Sequence, residues 1–322
     1  MRWRQRGAAL LLALLTVSVI TTLAAGLVWQ QWRSLQVETA ERARGQADWL
    51  LTGALDWAML ILREDARSSS VDTLGEPWAV PLAESRLSTF LAAGQGGDGA
   101  TANATDSSSL PDAFLSGHIE DAQAAYNLRN LIARDPATGK DIISPVELAV
   151  VQRLCEQAKV GRETAGQIAQ GLLRAWGASE DGNAPLPPRR FDDLRWLGVT
   201  PAVLDALRPW LTLLPVVTPV NVNTAPREVL AALLDLPLGA AQQLVQDRAT
   251  RPWNGIPALR QSLPPSVPDS LLTSARVAVS TRFFRVTGRL RMDDLVLEKE
   301  SLVLRMGLQL TALDTQTRLQ TP

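Results

Sequence analysis

From Ala8 to Val28 the chain carries no charged residue, and that run restricts what its N-terminal region can become. As a helix it would span roughly 31 Å, about the thickness of a bilayer's hydrocarbon core. Arg2, Arg4, Arg6 and Gly7 sit directly against it, and Trp29 and Trp32 follow. By the positive-inside rule the arginines mark the cytoplasmic end, while the tryptophans suit the far interface. One membrane crossing is expected, with everything after Trp32 outside the cytoplasm.

Three readings fit this segment. A plain signal anchor needs only the hydropathy. A cleavable secretory signal could be cut near Ala24, Ala25 and Gly26, but such signals usually carry about 7–15 apolar residues, fewer than here. The third is a prepilin-type leader, cut between Gly7 and Ala8, whose apolar helix stays on the mature protein. Basic residues, then Gly, then an unbroken apolar helix resemble that class.

The rest of the composition is that of an ordinary folded protein. A 322-residue chain with 46% hydrophobic residues is long enough for two or three domains. Net charge is −1, and about −4 without the leader arginines, so nothing in it calls for a nucleic-acid partner. Cys155 is alone, which rules out an internal disulfide. His118 is the only histidine, which excludes a metal site or relay built on several imidazoles.

Past the apolar run the helix is expected to continue to about Arg63. Ala40, Ala43, Ala47, Leu50, Ala54, Trp57 and Ile61 recur at alternating steps of three and four, one helical face. A coiled-coil seam is the plain alternative, but the stripe covers only about three heptads with few flanking charges. VDTLGEPWAVPL, Val71 to Leu82, is turn-rich with a short strand. The tract from Gly94 to Ser109 is Gly/Ser/Asn/Thr-rich and reads as a flexible loop. Phe114 to Ile132 reads as a strand and an irregular return. Helices are expected over Pro145 to Lys159, with Ser144 as N-cap, and over Thr164 to Trp176. Two helix-hairpin-helix-like units follow, at Phe191 to Leu211 and Arg227 to Arg248. The pattern then changes to strands in ARVAVSTRFFRVTGRLRM and LVLEKESLVLRM, joined by a turn at Met292 to Asp294.

This succession resembles the K-type minor pseudopilins, the general secretion pathway protein K of bacterial type II secretion. The resemblance covers nearly the whole chain in order. Its sharpest motifs are Asp121-Ala122-Gln123 with Tyr126-Asn127-Leu128, and Val220-Asn221-Val222-Asn223-Thr224-Ala225. It implies an α+β fold, in which a pilin-like N-terminal helix packs on an antiparallel sheet and an all-α domain with helix-hairpin-helix-like units is inserted. The expected division is a leader (1–7), a transmembrane helix (8–28), the periplasmic helix (29–65), the first part of the sheet domain (66–134, with the loop 94–109), the inserted helical domain (135–215), a helix-hairpin-helix-like segment (216–265) and the closing strands (266–322). The resemblance also implies cutting by prepilin peptidase at Gly7 and Ala8. It implies inner-membrane anchoring with a cytoplasmic N-terminus, and a place at the tip of a periplasmic pseudopilus. The partners it implies are the I- and J-type minor pseudopilins and the major pseudopilin.

Leu12 bears on the tip. Pilin-class subunits usually carry Glu at the fifth position after the cut, where it meets a neighbour's N-terminal amine. An unpaired carboxylate in apolar surroundings is costly, so a subunit with no neighbour above it has no use for one. Leu12 is otherwise simply part of an anchor. The resemblance also implies calcium in the inserted domain, near an Asp-Trp-x-Asp stretch. Here Trp176 remains while both flanking aspartates are missing, so only Glu180, Asp181, Asp192 and Asp193 are left as weak candidate ligands, short of the six to eight oxygens calcium takes.

Two other classes are weighed. A membrane-tethered DNA receptor could use the hairpins, but Leu236-Pro237-Leu238-Gly239 lacks the first glycine of the usual Gly-x-Gly turn, and protein packing is the expected use. For an enzyme there is only His118 near Glu120 and Asp121. On a strand His118 and Glu120 share a face and Asp121 points away; no nucleophile motif accompanies them, so no enzyme is expected.

Overall fold

The computed structural model describes residues 4–89, 113–177, 184–292 and 295–320. Met1 to Trp3, the expected loop at 94–109, and Glu180 and Asp181 lie outside the described residues.

The first element, α1 (Arg4–Ser68), is one helix of 65 residues, roughly 97 Å long at the usual rise. It is long and apolar enough to cross a membrane. Residues 8 to 42 are all exposed, Leu12 among them. Within the apolar run, the hydroxyls of Thr16, Thr21 and Thr22 donate to the carbonyls of Ala13, Val17 and Val19. Their polarity is thereby satisfied within the helix, as an apolar medium demands.

Above residue 42 a buried face develops, through Ala47, Leu51, Ala58, Leu62 and Asp65. From Ala47 to Asp65 it advances 3.6 residues per turn, whereas the stripe expected from the sequence advances 3.5. A 3.5 repeat slides around a straight helix by about 20° per heptad. The two therefore coincide at Ala47 and part company higher up. Trp57, placed on the packed face by periodicity, is 40% exposed, and Ile61 is only half-buried. The helix also runs five residues past Arg63.

The strands in chain order are β1 (Leu82–Arg86), β2 (Ala113–Asp121), β3 (Tyr126–Asn127), β4 (Ile132–Arg134), β5 (Asp141–Ile143), β6 (Leu211–Thr212), β7 (Val220–Asn221), β8 (Val277–Ala278), β9 (Phe283–Met292), β10 (Leu295–Met306) and β11 (Gln309–Gln320). β1-β2-β9-β10-β11 form one sheet, antiparallel at every step. Alternation sends Leu115, Phe284, Val286, Leu290, Leu297 and Val303 toward α1. Gly117 and Gly288 face each other across β2 and β9 beneath the helix. A Cβ on Gly117 would lie 2.6 Å from the Thr287 carbonyl, and one on Gly288 would lie 3.2 Å from Leu51 Cδ2. The DTLGEPWA segment closes the upper end of this core: Trp78 is buried edge-on against Phe284, ring centroids 5.3 Å apart, with its indole N–H donating to Glu76.

One expectation is corrected at the C-terminus. Residues 275–282 hold only the two-residue β8, so the first long closing strand starts at Phe283. A further long strand, β11, follows β10; its sequence, QLTALDTQTRLQ, is too polar for hydropathy to mark. As an edge strand it leaves Leu313 and Leu319 exposed.

Everything between β2 and β9 is a second lobe. Its helices are α2 (Pro145–Gln157), α3 (Glu163–Trp176), α4 (Pro201–Leu207), α5 (Arg227–Leu234), α6 (Leu238–Thr250) and α7 (Ile256–Ser262). Ser144 caps α2 by accepting from the Glu147 N–H, with Pro145 at the first position. Phe191–Leu197 winds as a 3-10 helix, so the first expected hairpin has one α-helical arm, reached through Gly198 at φ +85°. One continuous core joins these helices and includes Tyr126, Leu128 and Leu131, which the expected division had assigned to the sheet domain.

Candidate functional site: a buried polar clasp between the lobes

The two motifs singled out in the sequence meet in space. The Asp121 carboxylate, at the end of β2, is 7% exposed. Its Oδ1 accepts the Gln123 N–H at 2.7 Å; its Oδ2 accepts Asn221 Nδ2 at 2.8 Å and the Thr224 hydroxyl at 2.6 Å. Gln123 donates from Nε2 to the Pro219 carbonyl and accepts the Arg282 N–H at Oε1, while its own carbonyl accepts the Asn221 N–H. Asn127 donates to the Val216 carbonyl and Thr218 Oγ1 and accepts from the N–H groups of Arg129 and Leu214. Asn223 exchanges two bonds with the Trp253 backbone. Short polar side chains with both donors and acceptors are what such a junction needs, because a buried polar group left unpaired is expensive. Burial pushes the Asp121 carboxyl up to about 6, against the opposing pull of the groups that donate to it.

A second ring closes behind the first. The Asp72 carbonyl accepts Asn221 Nδ2 at 3.1 Å, and its Oδ2 accepts the Thr281 N–H at 2.7 Å. Arg305, on β10, donates to Asp72 Oδ1, to Asp65 Oδ2 at 2.8 Å and to the Thr281 carbonyl, and its guanidinium lies over the Phe284 ring. Two buried carboxylates thus share one cation. Burial, with Glu76 adding to it, pushes Asp65 up to about 6; burial likewise raises Asp72. One carboxylate oxygen from each of Asp65, Asp72 and Glu76 lies within 4.8 Å of the others. Arg305 already supplies the charge there, and Glu76 accepts from the Thr73 N–H and the Trp78 indole. Sequence reasoning did not single out Asp65, Asp72, Thr281 or Arg305. The signal was Asp65 itself, a charge in register with the buried face of α1, where it requires a partner.

The remaining sequence candidates fall elsewhere. His118 and Glu120 share the outer face of β2 with 3.6 Å between Nε2 and Oε1, and Asp121 points to the opposite side. Asp192 pairs with Arg208 at 2.6 Å, which holds its carboxyl below the usual range. Asp193 accepts the N–H groups of Arg189 and Arg190, and Arg190 grips Asp314 on β11 through two bonds. With both carboxylates so engaged, the two described acids do not fit a calcium site. The α5–α6 hairpin bends by 120°, with Asp235 in the left-handed region at φ +56°. Arg153 from α2 bonds both Asp235 and the Ala232 carbonyl, and α5 is buried from Val229 to Leu234. This hairpin packs inward.

Residues 220–281 match the family described as type II secretion system (T2SS), protein K. Type II secretion system protein K of Pseudomonas aeruginosa is 28% identical over 91% of this chain and 87% of its own length. The protein of that name from Pectobacterium carotovorum is 27% identical over 98% and 97%, and that from Klebsiella pneumoniae 28% over 95% and 94%. Along nearly its whole length the chain is similar to type II secretion system protein K. Its fold is similar to a chain in the crystal structure of the GspK-GspI-GspJ complex from enterotoxigenic Escherichia coli, with a TM-score of 0.65 and 20% identity, covering 87% of this chain and 98% of that one. The matched span begins at Val220 and ends at Thr281, so it holds Asn221, Thr224 and Thr281, the lobe-side half of the clasp.

Proposed function

We propose that the protein is a minor pseudopilin of the type II secretion system, anchored in the inner membrane with its N-terminus in the cytoplasm, and that it initiates or caps the periplasmic pseudopilus from the tip. The observation that carries this reading is the position of the helical lobe. It is clasped at Asp72, Asp121 and Arg305, where α1 and the sheet end farthest from the apolar segment. A lobe mounted there occupies the space that a subunit stacked above would need. Leu12, on the exposed apolar face, agrees with it by offering no carboxylate to a neighbour's amine. The I- and J-type minor pseudopilins and the major pseudopilin are the partners, and prepilin peptidase supplies the mature end.

N-terminal sequencing of membrane-extracted protein should find Ala8 first. A start near Ala25 or Gly26 would replace the pilin reading with ordinary secretion, and an uncut Met1 in cells possessing the peptidase would leave a plain anchor. Leu12→Glu should impair secretion, because a lone acid in that setting costs roughly 2–3 kcal/mol, whereas Leu12→Val should be silent. A Leu12→Glu protein that secretes normally and is found along the shaft would remove the tip assignment. Micromolar, salt-sensitive binding to duplex DNA without partner binding would overturn the function altogether.

A further inference from the structure

The helical lobe leaves and rejoins the sheet at one place. β2 ends at Asp121 and β9 starts at Phe283; the two strands are neighbours, and the Ala122 N–H donates to the Phe283 carbonyl at 2.9 Å. The clasp is built around that crossing. A body joined along one line needs a second fixing point to set its angle.

That point lies on β11, two strands and roughly 10 Å from β9. Arg190 of the lobe donates to both carboxylate oxygens of Asp314, at 2.7 and 2.6 Å. Beside it, Asp192 takes Arg208 at 2.6 Å and lies 3.9 Å from Arg318 of β11. Both partners are prepared for this meeting. On the lobe side, Asp193 accepts the N–H groups of Arg189 and Arg190 and so fixes the backbone that carries Arg190. On the sheet side, Val303 pairs with Ala312 but Leu302 with Asp314, which makes Leu313 an extra residue in β11. The bulge reverses the alternation of the strand. Leu310 and Ala312 share the α1 side with their partners Arg305 and Val303, whereas Asp314 and Arg318 share the opposite side with Leu302 and Glu298. Had the pairing run on regularly, Asp314 would meet Ser301 and face α1, and Arg318 would follow it.

We propose that Arg190 and Asp314, with Asp192 and Arg318 beside them, latch the lobe against the outer face of the sheet, and that the lobe turns about the clasp when the latch parts. Exposed ion pairs contribute little to stability, and the Arg190 and Asp314 side chains are 43% and 39% exposed, so the latch parts at small cost. The clasp does not part with it, because buried groups are screened far less by salt. Between the two lies an open cleft of about 2240 Å³, bounded by His118, Glu120, Arg285 and Glu300 of the sheet and by Arg208 and Leu213 of the lobe. The latch thereby sets the width of this cleft. Guanidinium and backbone N–H groups gather its carboxylates, so its hold depends on salt and not on a divalent cation.

Spin labels report the angle of the lobe. Gln170→Cys on α3 and Thr317→Cys on β11 place them at exposed sites, and Cys155 is buried. Double electron–electron resonance on the full-length, detergent-solubilised chain should give one narrow distance at low salt. Sodium chloride at about 1 M, where charges are screened beyond about 3 Å, should broaden and lengthen it. Asp314→Asn should do the same at low salt, while a chelator should leave the distance unchanged. Arg190→Asp should broaden it, and Arg190→Asp combined with Asp314→Arg should restore the narrow distance, which a loss of packing would not. A narrow distance that survives both salt and Asp314→Asn would overturn the latch. So would a lobe released by the chelator and not by salt. The salt arm leaves every latch residue unaltered, so it decides the matter even where a variant folds poorly.

Discussion

Asp121→Ala should destabilise the protein by about 3 kcal/mol or more, measured by urea unfolding of the detergent-solubilised chain. Three donors converge on that carboxylate: the Gln123 N–H, the Asn221 amide and the Thr224 hydroxyl. Each buried donor left unpaired costs about 1–3 kcal/mol; the Asn221 amide and the Thr224 hydroxyl keep only longer second contacts, to the Asp72 carbonyl at 3.1 Å and the Asn221 carbonyl at 3.3 Å, and the Gln123 N–H keeps none. Asp121→Asn should cost less, since it keeps the volume and one acceptor. The folded carboxyl lies at about 6, above its ordinary 3.8, so the native state holds the proton more tightly than the unfolded chain. That contribution is fully present below about 3.8 and is lost as pH rises through about 6. Asp65 titrates in the same direction and the same window. Asp192 and Asp314 are lowered, so their effects fall below pH 3.8. The unaltered protein should therefore be more stable at pH 5 than at pH 7.5, by on the order of 1–3 kcal/mol. Asp121→Asn should flatten the difference in part. Equal stability at the two values would refute the burial cost assigned to Asp121 and Asp65.

The same clasp shows how far sequence reached. Asp121, Gln123, Asn127, Asn221 and Thr224 were visible as two motifs because they carry the resemblance to the K-type minor pseudopilins. That the motifs would touch, a hundred residues apart, was not visible; no periodicity carries long-range pairing. α1, Ser144 as a cap and the strands β9 and β10 were legible, since each rests on a local rule: a long apolar run, a capping residue, alternation. The misses share a cause in tertiary context. Trp57 followed the 3.5 pattern while the sheet selected a 3.6 face. β11 is recognisable only by its neighbour β10, whose hydrogen bonds draw a polar sequence into an edge strand. Phe191–Leu197 carried a helical pattern and wound as a 3-10 helix, fastened through Asp192 and Asp193 to arginines that local sequence does not identify as partners.

The largest loss is expected for Arg305→Ala, about 3–5 kcal/mol at pH 7.5, because it strands two buried carboxylates without a cation. Asp65 and Asp72 are 8% and 1% exposed, and among the described residues Arg305 is the one that bonds both. Removing it also frees the Thr281 carbonyl and uncovers Phe284. Arg305→Lys should fall between, since an ammonium cannot reach both acids with the fork of a guanidinium. The pH dependence separates this cause from lost packing. Without Arg305 both carboxyls should rise further, so acidification to pH 5 restores much of the Arg305→Ala loss by protonating them. A purely steric loss would be the same at both values. Adding Asp65→Asn and Asp72→Asn to Arg305→Ala should recover stability at pH 7.5 relative to Arg305→Ala alone, as removing every charge of a buried set is far cheaper than removing one side of it. If the triple variant is no better than the single one, Arg305 holds the clasp by its contacts rather than by its charge.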